Sequence, residues 1–233
     1  MASNTMALTP AEAIPKLKGP VVCVFCGANP GSSPTHLAAA RALAHIMAAS
    51  NLSLVYGGGT VGLMGEVART LVSLSGPASV LGIIPAALVK YEQQTQDPSP
   101  TSPTPLIDST IFGQTVVVKD MHTRKRLMAT AVVDGGPGGG FVALSGGYGT
   151  LEELMEVTTW NQLGIHAMPV VIYNVEGFWD GLVGWVQKAV GEGFIKRDCA
   201  GIVVEALSAE EVVVCLKEYV NVEGRFGLNW EEN

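Results

Sequence analysis

The sequence has 233 residues, a length that fits one large α/β domain and does not require two. Hydrophobic residues make up 48% of the chain and charged residues 15%, so there is enough apolar surface for a sizeable core. The formal net charge of −7 argues against a broad nucleic-acid-binding face, because an acidic chain repels a polyanion. A small phosphorylated ligand remains compatible with this charge, because backbone amides and a few cations bind such a ligand locally.

The two ends of the chain differ in composition from the middle. We predict a flexible leader over residues 1–19, which are rich in Ala, Thr and Pro and lack the apolar block of a signal peptide. The most apolar later run, Val80–Val89, is too short to span a bilayer. We therefore expect a cytoplasmic protein without a membrane segment, with a folded domain over 20–222 and a tail over 223–233.

Apolar runs alternate with helical patterns along the rest of the chain. The runs predict strands at 21–26, 52–56, 79–84, 116–118, 141–144, 170–173 and 202–204. Apolar side chains at helical spacing predict helices at 35–49, 63–74, from about 122, 150–163, 179–190 and 209–220. Repeated strand–turn–helix units indicate an α/β fold, namely a single Rossmann-like domain with a doubly wound, mainly parallel sheet flanked by helices.

Two glycine clusters, at 57–59 and 146–149, follow predicted strands. Ligands of parallel sheets bind outside the carboxyl ends of the strands, so we expect both clusters at one edge, in one site. Two further segments interrupt the pattern: a polar, proline-rich insertion at 93–105, predicted to be disordered, and a glycine-rich flexible loop at 134–140. We predict surface insertions, with a role as lids as the alternative.

The segment Ser145–Glu153 combines a glycine turn with two carboxylates. Glycines between a strand and a helix let backbone amides approach an anion, and the positive end of the helix favours phosphate. Thr150 is predicted to cap the helix and to donate its hydroxyl to the anion. Acidic residues also stabilise a helix N-terminus without any ligand, which is the alternative explanation for Glu152 and Glu153.

A cationic segment, Arg124-Lys-Arg126, opens another predicted helix, where positive charge opposes the helix dipole. An anionic ligand or a buried carboxylate would explain these cations, and a solvated surface is the alternative. In the Tyr56–Gly65 loop the glycine spacing departs from the nicotinamide-cofactor pattern. We expect its backbone to pass close to a ribose or phosphate.

Other chemistries receive less support. Cys23 and Cys26 match a C-x-x-C pattern but lie inside an apolar run, which is typical of buried thiols in a core strand. The histidines are scattered, so no zinc cluster emerges, and His122 alone neighbours the cationic segment. Ser145 lacks both an obvious histidine base and the G-x-S-x-G serine elbow.

Taken together, these motifs resemble the LONELY GUY family of cytokinin-activating phosphoribohydrolases, formerly often labelled lysine decarboxylase-like. The resemblance runs from about residue 22 to about residue 219. It is strongest at Val24-Phe-Cys-Gly27, Tyr56–Gly65, Met121-His-Thr-Arg-Lys125, Gly146-Gly-Tyr-Gly-Thr-Leu-Glu-Glu153 and Thr158-Thr-Trp-Asn-Gln-Leu-Gly164. The main departure is Ser145, where the family usually has proline.

The resemblance implies hydrolysis of the N-glycosidic bond of N6-substituted adenosine 5′-monophosphates to a free cytokinin base and ribose 5-phosphate. It implies Arg124 and Glu153 as the catalytic pair, a homodimer, and no metal or organic cofactor. The residues implied or expected to line the nucleotide site are Gly58, Gly59, Gly62, Glu92, Met121, Lys125, Gly146, Gly147, Tyr148, Gly149, Thr150, Leu151, Glu152 and Thr158.

Two alternatives remain open. The first is a non-catalytic nucleotide-binding or signalling module on the same fold, because a fold does not fix a function. The second is a pyridoxal-phosphate decarboxylase with Lys125 as the Schiff-base lysine, for which the sequence shows no separate pyridinium partner.

Overall fold

The structure is a computed structural model that describes residues 14–89, 91, 107–228 and 230. The predicted insertion at 93–105, Glu92 and residues 1–13 lie outside the described residues. None of the helices in the described ranges is long and apolar enough to cross a membrane.

The strands follow the apolar runs of the sequence closely. They are β1 Val21–Phe25, β2 Ser53–Tyr56, β3 Val80–Pro85, β4 Gln114–Val118, β5 Gly140–Ala143, β6 Val170–Tyr173 and β7 Val203–Ala206. The helices are α1 Pro34–Ala49, α2 Gly62–Ser75, α3 Ser109–Phe112, α4 Met121–Gly135, α5 Tyr148–Gln162, α6 Asp180–Gly191 and α7 Ala209–Glu218. Short 3₁₀ turns occupy Pro77–Ser79, Ala86–Leu88, Val175–Gly177 and Arg197–Cys199.

The described strands form one parallel sheet in the order β4-β3-β2-β1-β5-β6-β7. The chain builds outward from β1 to β4, returns to place β5 beside β1, and then builds outward to β7. This arrangement confirms the predicted Rossmann-like, doubly wound fold. It also puts the reversal of strand order between β1 and β5, which is where ligands bind in open α/β sheets.

The core consists of two apolar layers, one on each face of the sheet. Side chains alternate along β1: Val22 and Val24 join the layer under α1, α2 and α7, whereas Cys23 and Phe25 join the layer under α4 and α5. A strand buried on both faces needs apolar side chains at every position, which explains its uninterrupted apolar sequence.

The predicted leader over 1–19 is corrected for residues 14–19. Leu17 is buried, and Ile14 packs against the layer under α4 and α5. The backbone carbonyl of Lys18 accepts a hydrogen bond from the Ser53 hydroxyl at 2.7 Å, so these residues are fastened to the domain.

The predicted flexible loop at 134–140 is shorter than expected. Helix α4 continues to Gly135 and β5 starts at Gly140, which leaves only 136–139 as the connection. A Cβ on Gly135 would lie 2.8 Å from the Val21 nitrogen, so this glycine allows α4 to pack closely on β1. The loop precedes β5 and therefore lies at the amino edge of the sheet, away from the edge where a lid would be needed.

The predicted tail at 223–233 is also tied down over its described residues. Arg225 donates from Nε to the Asn161 carbonyl at 2.8 Å and from a second nitrogen to the His166 carbonyl at 2.5 Å. The Trp230 indole donates to the Leu163 carbonyl at 3.2 Å. The tail thus binds the residues at and just beyond the C-terminal end of α5.

Candidate active site

A cavity of about 550 Å³ lies at the reversal of strand order. Its walls come mainly from the β1–α1 connection and the β5–α5 connection, with contributions from the start of α2 and from α4. The lining residues are Val24, Phe25, Cys26, Gly27, Ala28, Asn29, Pro30, Gly31, Ser32, His36, Gly57, Leu63, Met64, Arg124, Ser145, Gly146, Gly147, Gly149, Thr150, Glu153 and Phe178.

The glycines of the β5–α5 turn have different surroundings. A Cβ on Gly146 would lie 2.7 Å from the Thr150 Cβ and 3.0 Å from the Gly27 nitrogen, so packing requires a glycine there. Nothing lies within 4 Å of a Cβ placed on Gly147 or Gly149. Both line the cavity, so the missing side chains leave open space beside the N-terminus of α5.

Thr150 does not cap α5 as predicted. The helix begins at Tyr148 with Gly147 at the cap position, and no side chain caps it. Thr150 is therefore the third residue of the helix, where its backbone N–H has no partner within the helix. Its buried side chain lines the cavity together with the glycines.

Arg124 and Glu153 form a buried ion pair in the cavity wall. The Arg124 NH2 nitrogen is 2.6 Å from Glu153 Oε1, and the two side chains are 8% and 9% exposed. A Cβ on Gly57 would approach the guanidinium to 3.3 Å, so glycine at this position makes room for it. Within the described part of the chain, the buried Arg124 Nε has no hydrogen-bond partner.

The start of α4 determines which cation turns inward. The Asp120 carboxylate accepts a hydrogen bond from the Thr123 backbone N–H at 2.7 Å and so caps the helix. Successive helical residues point about 100° apart, because a turn has 3.6 residues. Arg124 consequently faces the core, and Lys125 faces away from it.

Lys125 pairs with carboxylates on the outer side of α5. Its Nζ is 2.5 Å from Glu152 and 3.0 Å from Glu156. Partial burial alone would lower the pKa of Lys125, but the hydrogen bonds and charges of the two glutamates outweigh it and the pKa is raised. The neighbours Glu152 and Glu153 thus have different partners: Glu153 pairs with Arg124 at the cavity, and the exposed Glu152 pairs with the partly buried Lys125.

The structure brings six of the predicted site residues to the cavity wall: Arg124, Gly146, Gly147, Gly149, Thr150 and Glu153. Other predicted residues face solvent in the single chain: Met121, Tyr148, Leu151 and Glu152. Of the remainder, Lys125 is paired as above, and the Thr158 hydroxyl donates to the Leu154 carbonyl inside α5 at 2.7 Å.

The first glycine cluster, at 57–59, reaches the cavity through a different glycine from those predicted. Gly57, not Gly58, Gly59 or Gly62, lines the cavity. Gly58 and Gly62 have φ values of 77° and 57°, and a Cβ on Gly58 would lie 2.9 Å from the Ile84 Cβ. A Cβ on Gly62 would clash with the backbone of Ala28, so these two glycines shape the loop.

His36 was missed by the sequence analysis. Its Nδ1 lies 3.0 Å from the Ser145 hydroxyl oxygen, so Ser145 has a histidine partner after all, and that partner is not His122. His36 also lines the cavity, whereas the exposed His122 does not. The signal that would have found His36 is its position just after β1, at the start of α1.

The two cysteines of the C-x-x-C pattern lie in different places. Cys23 is fully buried in β1; burial first, and then the charge of Glu153, raises the pKa of its thiol. The buried-thiol prediction therefore describes Cys23 well. Cys26 is buried as well, but it lies one residue past the end of β1 and lines the cavity, so only its predicted strand position was wrong.

A parallel sheet with a glycine turn, a helix N-terminus and a buried arginine–glutamate pair at its strand reversal defines a Rossmann-type protein with a candidate nucleotide site. Residues 64–216 match a family model described as "Possible lysine decarboxylase". A bifunctional cytokinin biosynthesis protein of Fusarium pseudograminearum (strain CS3096) is 50% identical over 212 residues, which cover 90% of this chain. The chain spans 42% of the length of that fungal relative.

Plant relatives match along most of their own length. A probable cytokinin riboside 5′-monophosphate phosphoribohydrolase of Oryza sativa subsp. japonica is 41% identical, over 94% of this chain and 88% of that protein. A cytokinin riboside 5′-monophosphate phosphoribohydrolase of Arabidopsis thaliana is 42% identical, over 85% of this chain and 83% of that one. The chain belongs to the LONELY GUY family.

Solved structures share the fold at low sequence identity. The molybdenum cofactor carrier protein of Chlamydomonas reinhardtii aligns with a TM-score of 0.58 at 17% identity, over 86% of this chain and 98% of that one. The molybdenum cofactor binding protein of Rippkaea orientalis aligns with a TM-score of 0.56 at 20% identity, over 87% and 98%. At these identities the likeness concerns the fold alone.

Proposed function

We propose that the protein hydrolyses the N-glycosidic bond of N6-substituted adenosine 5′-monophosphates and releases a free cytokinin base and ribose 5-phosphate. Family membership and the names of the plant relatives support this substrate class. The single observation that carries the proposal is the buried Arg124–Glu153 pair beside the β5–α5 glycine turn. A site that only bound phosphate would gain little from a carboxylate in its wall.

The glycine turn is the proposed binding site for the 5′-phosphate. The first backbone N–H groups of α5 have no partners within the helix, and the helix dipole favours an anion there. The open space beside Gly147 and Gly149 gives a phosphate access to these groups. Fixing the phosphate holds the ribose in register with Glu153, one turn further along α5.

Glu153 is the proposed catalytic carboxylate. Cleavage of the C1′–N9 bond leaves positive charge on the ribose, which a nearby carboxylate stabilises. Water adds its oxygen to C1′ and loses a proton, while the bonding electron pair leaves with the base, which takes up a proton. Arg124 orients Glu153 through the hydrogen bond from its Nη2.

The test is release of base from N6-isopentenyladenosine 5′-monophosphate, followed by chromatography, with AMP as a second substrate. We expect Glu153→Gln to lower kcat by about 10²- to 10⁴-fold, because the amide carries no charge and accepts no proton. Glu66→Gln is the matched control, since Glu66 also pairs with arginine, 2.8 Å from Arg41, but lies outside the cavity wall. Its turnover should equal that of the native protein.

The outcomes separate the two parts of the proposal. No base release by the native protein at high enzyme concentration would reject the hydrolase and favour the non-catalytic nucleotide-binding module. Base release that survives Glu153→Gln would reject only the role of Glu153. The decarboxylase alternative is disfavoured by Lys125, because a Schiff-base lysine needs a lowered pKa and two glutamates raise this one.

We also propose that the protein forms a homodimer. Met121, Tyr148 and Leu151 are apolar, yet 37%, 95% and 37% exposed in the single chain, and all three lie in the first turns of α4 and α5. A partner covering this surface would bring these predicted substrate-binding residues into an enclosed site.

The cytoplasmic location stays a prediction, which microscopy of a fluorescently tagged protein would test.

A further inference from the structure

A second polar pair lines the cavity, and the proposed reaction does not use it. The Ser145 side chain is buried, and its Oγ lies 3.0 Å from His36 Nδ1. The two residues are 109 positions apart in the sequence and meet across the strand reversal. Ser145 stands directly before the glycine turn, at the position where the family usually has proline.

The surrounding structure fixes both partners. The Ser145 carbonyl accepts a hydrogen bond from the Gly27 backbone N–H at 3.0 Å, which ties the β5–α5 turn to the β1–α1 turn. A Cβ added to Gly31 would lie 2.9 Å from Cδ2 of His36, so the His36 ring packs closely against this glycine. Phe178 contacts the same ring edge-on, with ring centroids 6.0 Å apart. The pair is therefore held in place before any ligand arrives.

The direction of the hydrogen bond between Ser145 and His36 decides whether the Ser145 hydroxyl can donate to a ligand. If Nδ1 is unprotonated, the hydroxyl donates to the ring and has no proton left for a ligand. If Nδ1 carries a proton, the ring donates to Oγ, and the hydroxyl proton is free to point into the cavity. A phosphate accepts hydrogen bonds and donates few, so its presence favours the second arrangement.

We propose that His36 and Ser145 form an additional phosphate-binding relay, in which His36 donates to Ser145 and Ser145 donates to the 5′-phosphate. The inference rests on the proposed function for the identity of the ligand. Ser145 is the binding residue, and His36 is a positioning residue that acts through it.

A serine–histidine pair also invites comparison with nucleophilic catalysis. In a hydrolase triad, a carboxylate orients the histidine through its other ring nitrogen. Among the described residues, no carboxylate hydrogen-bonds to His36. The relay therefore fits ligand recognition better than attack by the serine.

Calorimetric titration with ribose 5-phosphate tests the binding residue without requiring turnover. We expect Ser145→Ala to weaken binding by about 10- to 150-fold, the usual effect of losing one hydrogen bond to a charged group. Binding of the unphosphorylated nucleoside N6-isopentenyladenosine should be unchanged. Thermal unfolding of each variant confirms that it is folded.

The positioning role of His36 needs its own readouts. His36→Phe keeps a ring against Gly31 and Phe178 and should also weaken ribose 5-phosphate binding, with no further loss when combined with Ser145→Ala. In ¹⁵N spectra, added ribose 5-phosphate should move the Nδ1 signal of His36 to the protonated range.

Three results would overturn the relay. They are unchanged ribose 5-phosphate affinity in Ser145→Ala, an equal loss of affinity for nucleoside and sugar phosphate, and an Nδ1 that stays unprotonated in the complex. Failure of the native protein to bind ribose 5-phosphate would overturn it as well. Failure of the proposed hydrolysis is a separate observation, because it is measured as the absence of base release.

Discussion

At the scale of single residues, the three glycines of the β5–α5 turn have two different causes. Gly146 is needed by the protein itself, because any side chain would collide with Thr150 and Gly27. Gly147 and Gly149 are not crowded, and neither has a positive φ. Neither packing nor backbone conformation of the free protein requires these two glycines, whereas the proposed phosphate would need the open space beside them.

Because the space beside Gly149 is open, adding a methyl group there should have opposite effects on stability and on activity. Alanine is favoured over glycine inside a helix by up to about 1 kcal/mol. Gly149→Ala should therefore raise the free energy of unfolding measured in urea, and it should lower kcat/KM for N6-isopentenyladenosine 5′-monophosphate because the new methyl group fills space next to the phosphate.

A second helical glycine provides the control. Gly184 in α6 is exposed, and nothing lies within 4 Å of its Cβ position. Gly184→Ala should raise the stability in the same way and leave turnover unchanged. If Gly149→Ala and Gly184→Ala behave alike in both assays, the space beside Gly149 does not hold the ligand.

At the scale of elements, the two ends of α5 have different surroundings. Its N-terminus opens onto the cavity, and its C-terminal end, about 22 Å away at 1.5 Å per residue, binds the tail through Arg225. His166, just beyond this end, fills the gap between α5 and β6. Its Nε2 contacts the Val157 carbonyl at 2.9 Å, and its Nδ1 accepts from the Met168 backbone N–H at 3.1 Å.

This environment favours neutral His166. Burial is the largest cause that lowers its pKa to about 4, the charge of Arg225 adds to the decrease, and the bond to Val157 opposes it. The folded state thus binds a proton less readily than the unfolded state, whose histidine has a pKa near 6.5. The stability that His166 contributes is present above pH 6.5 and is lost as the pH falls toward 4.

We expect the free energy of unfolding to fall by about 2 kcal/mol between pH 7 and pH 5 on this account. Urea denaturation at a series of pH values measures it. His166→Gln, which cannot titrate, should flatten this part of the profile. An equally steep profile in the variant would assign the loss to other groups.

At the scale of the whole molecule, the individual strands and helices were easier to predict than which of them lie next to each other. The strand at 170–173 was predicted to the residue, because a parallel strand buried on both faces is an apolar run with clear ends. The order of the strands is not written in such runs. That order brings His36 to Ser145, and the apolar runs therefore gave no sign of the pair.

The family resemblance pointed to Arg124 and Glu153, which the structure shows as a buried ion pair, and their catalytic role stays a proposal. Residue spacing alone left Glu152 and Glu153 equivalent, and only the rotation of α5 separates them. Leu154 and Val157 face the core on the same side of the helix as Glu153. The short helix Ser109–Phe112 was not predicted, because four residues do not make a helical period visible.

The proposed homodimer also concerns the whole molecule. Light scattering during gel filtration should give twice the chain mass of 24.3 kDa. Leu151→Glu, which places a charge on the exposed surface at α5, should shift the mass toward that of one chain. A single-chain mass for the native protein would contradict the proposed assembly.

The loop at 136–139, residues 14–19 and the tail at Arg225 all lie near the amino edge of the sheet, whereas the cavity opens at the carboxyl edge. Additional chain at either end would thus join the domain on the side away from the cavity mouth. The Fusarium relative, of which this chain covers 42%, carries such additional chain. The same geometry recommends both ends of the chain for surface attachment or for fusion to a reporter.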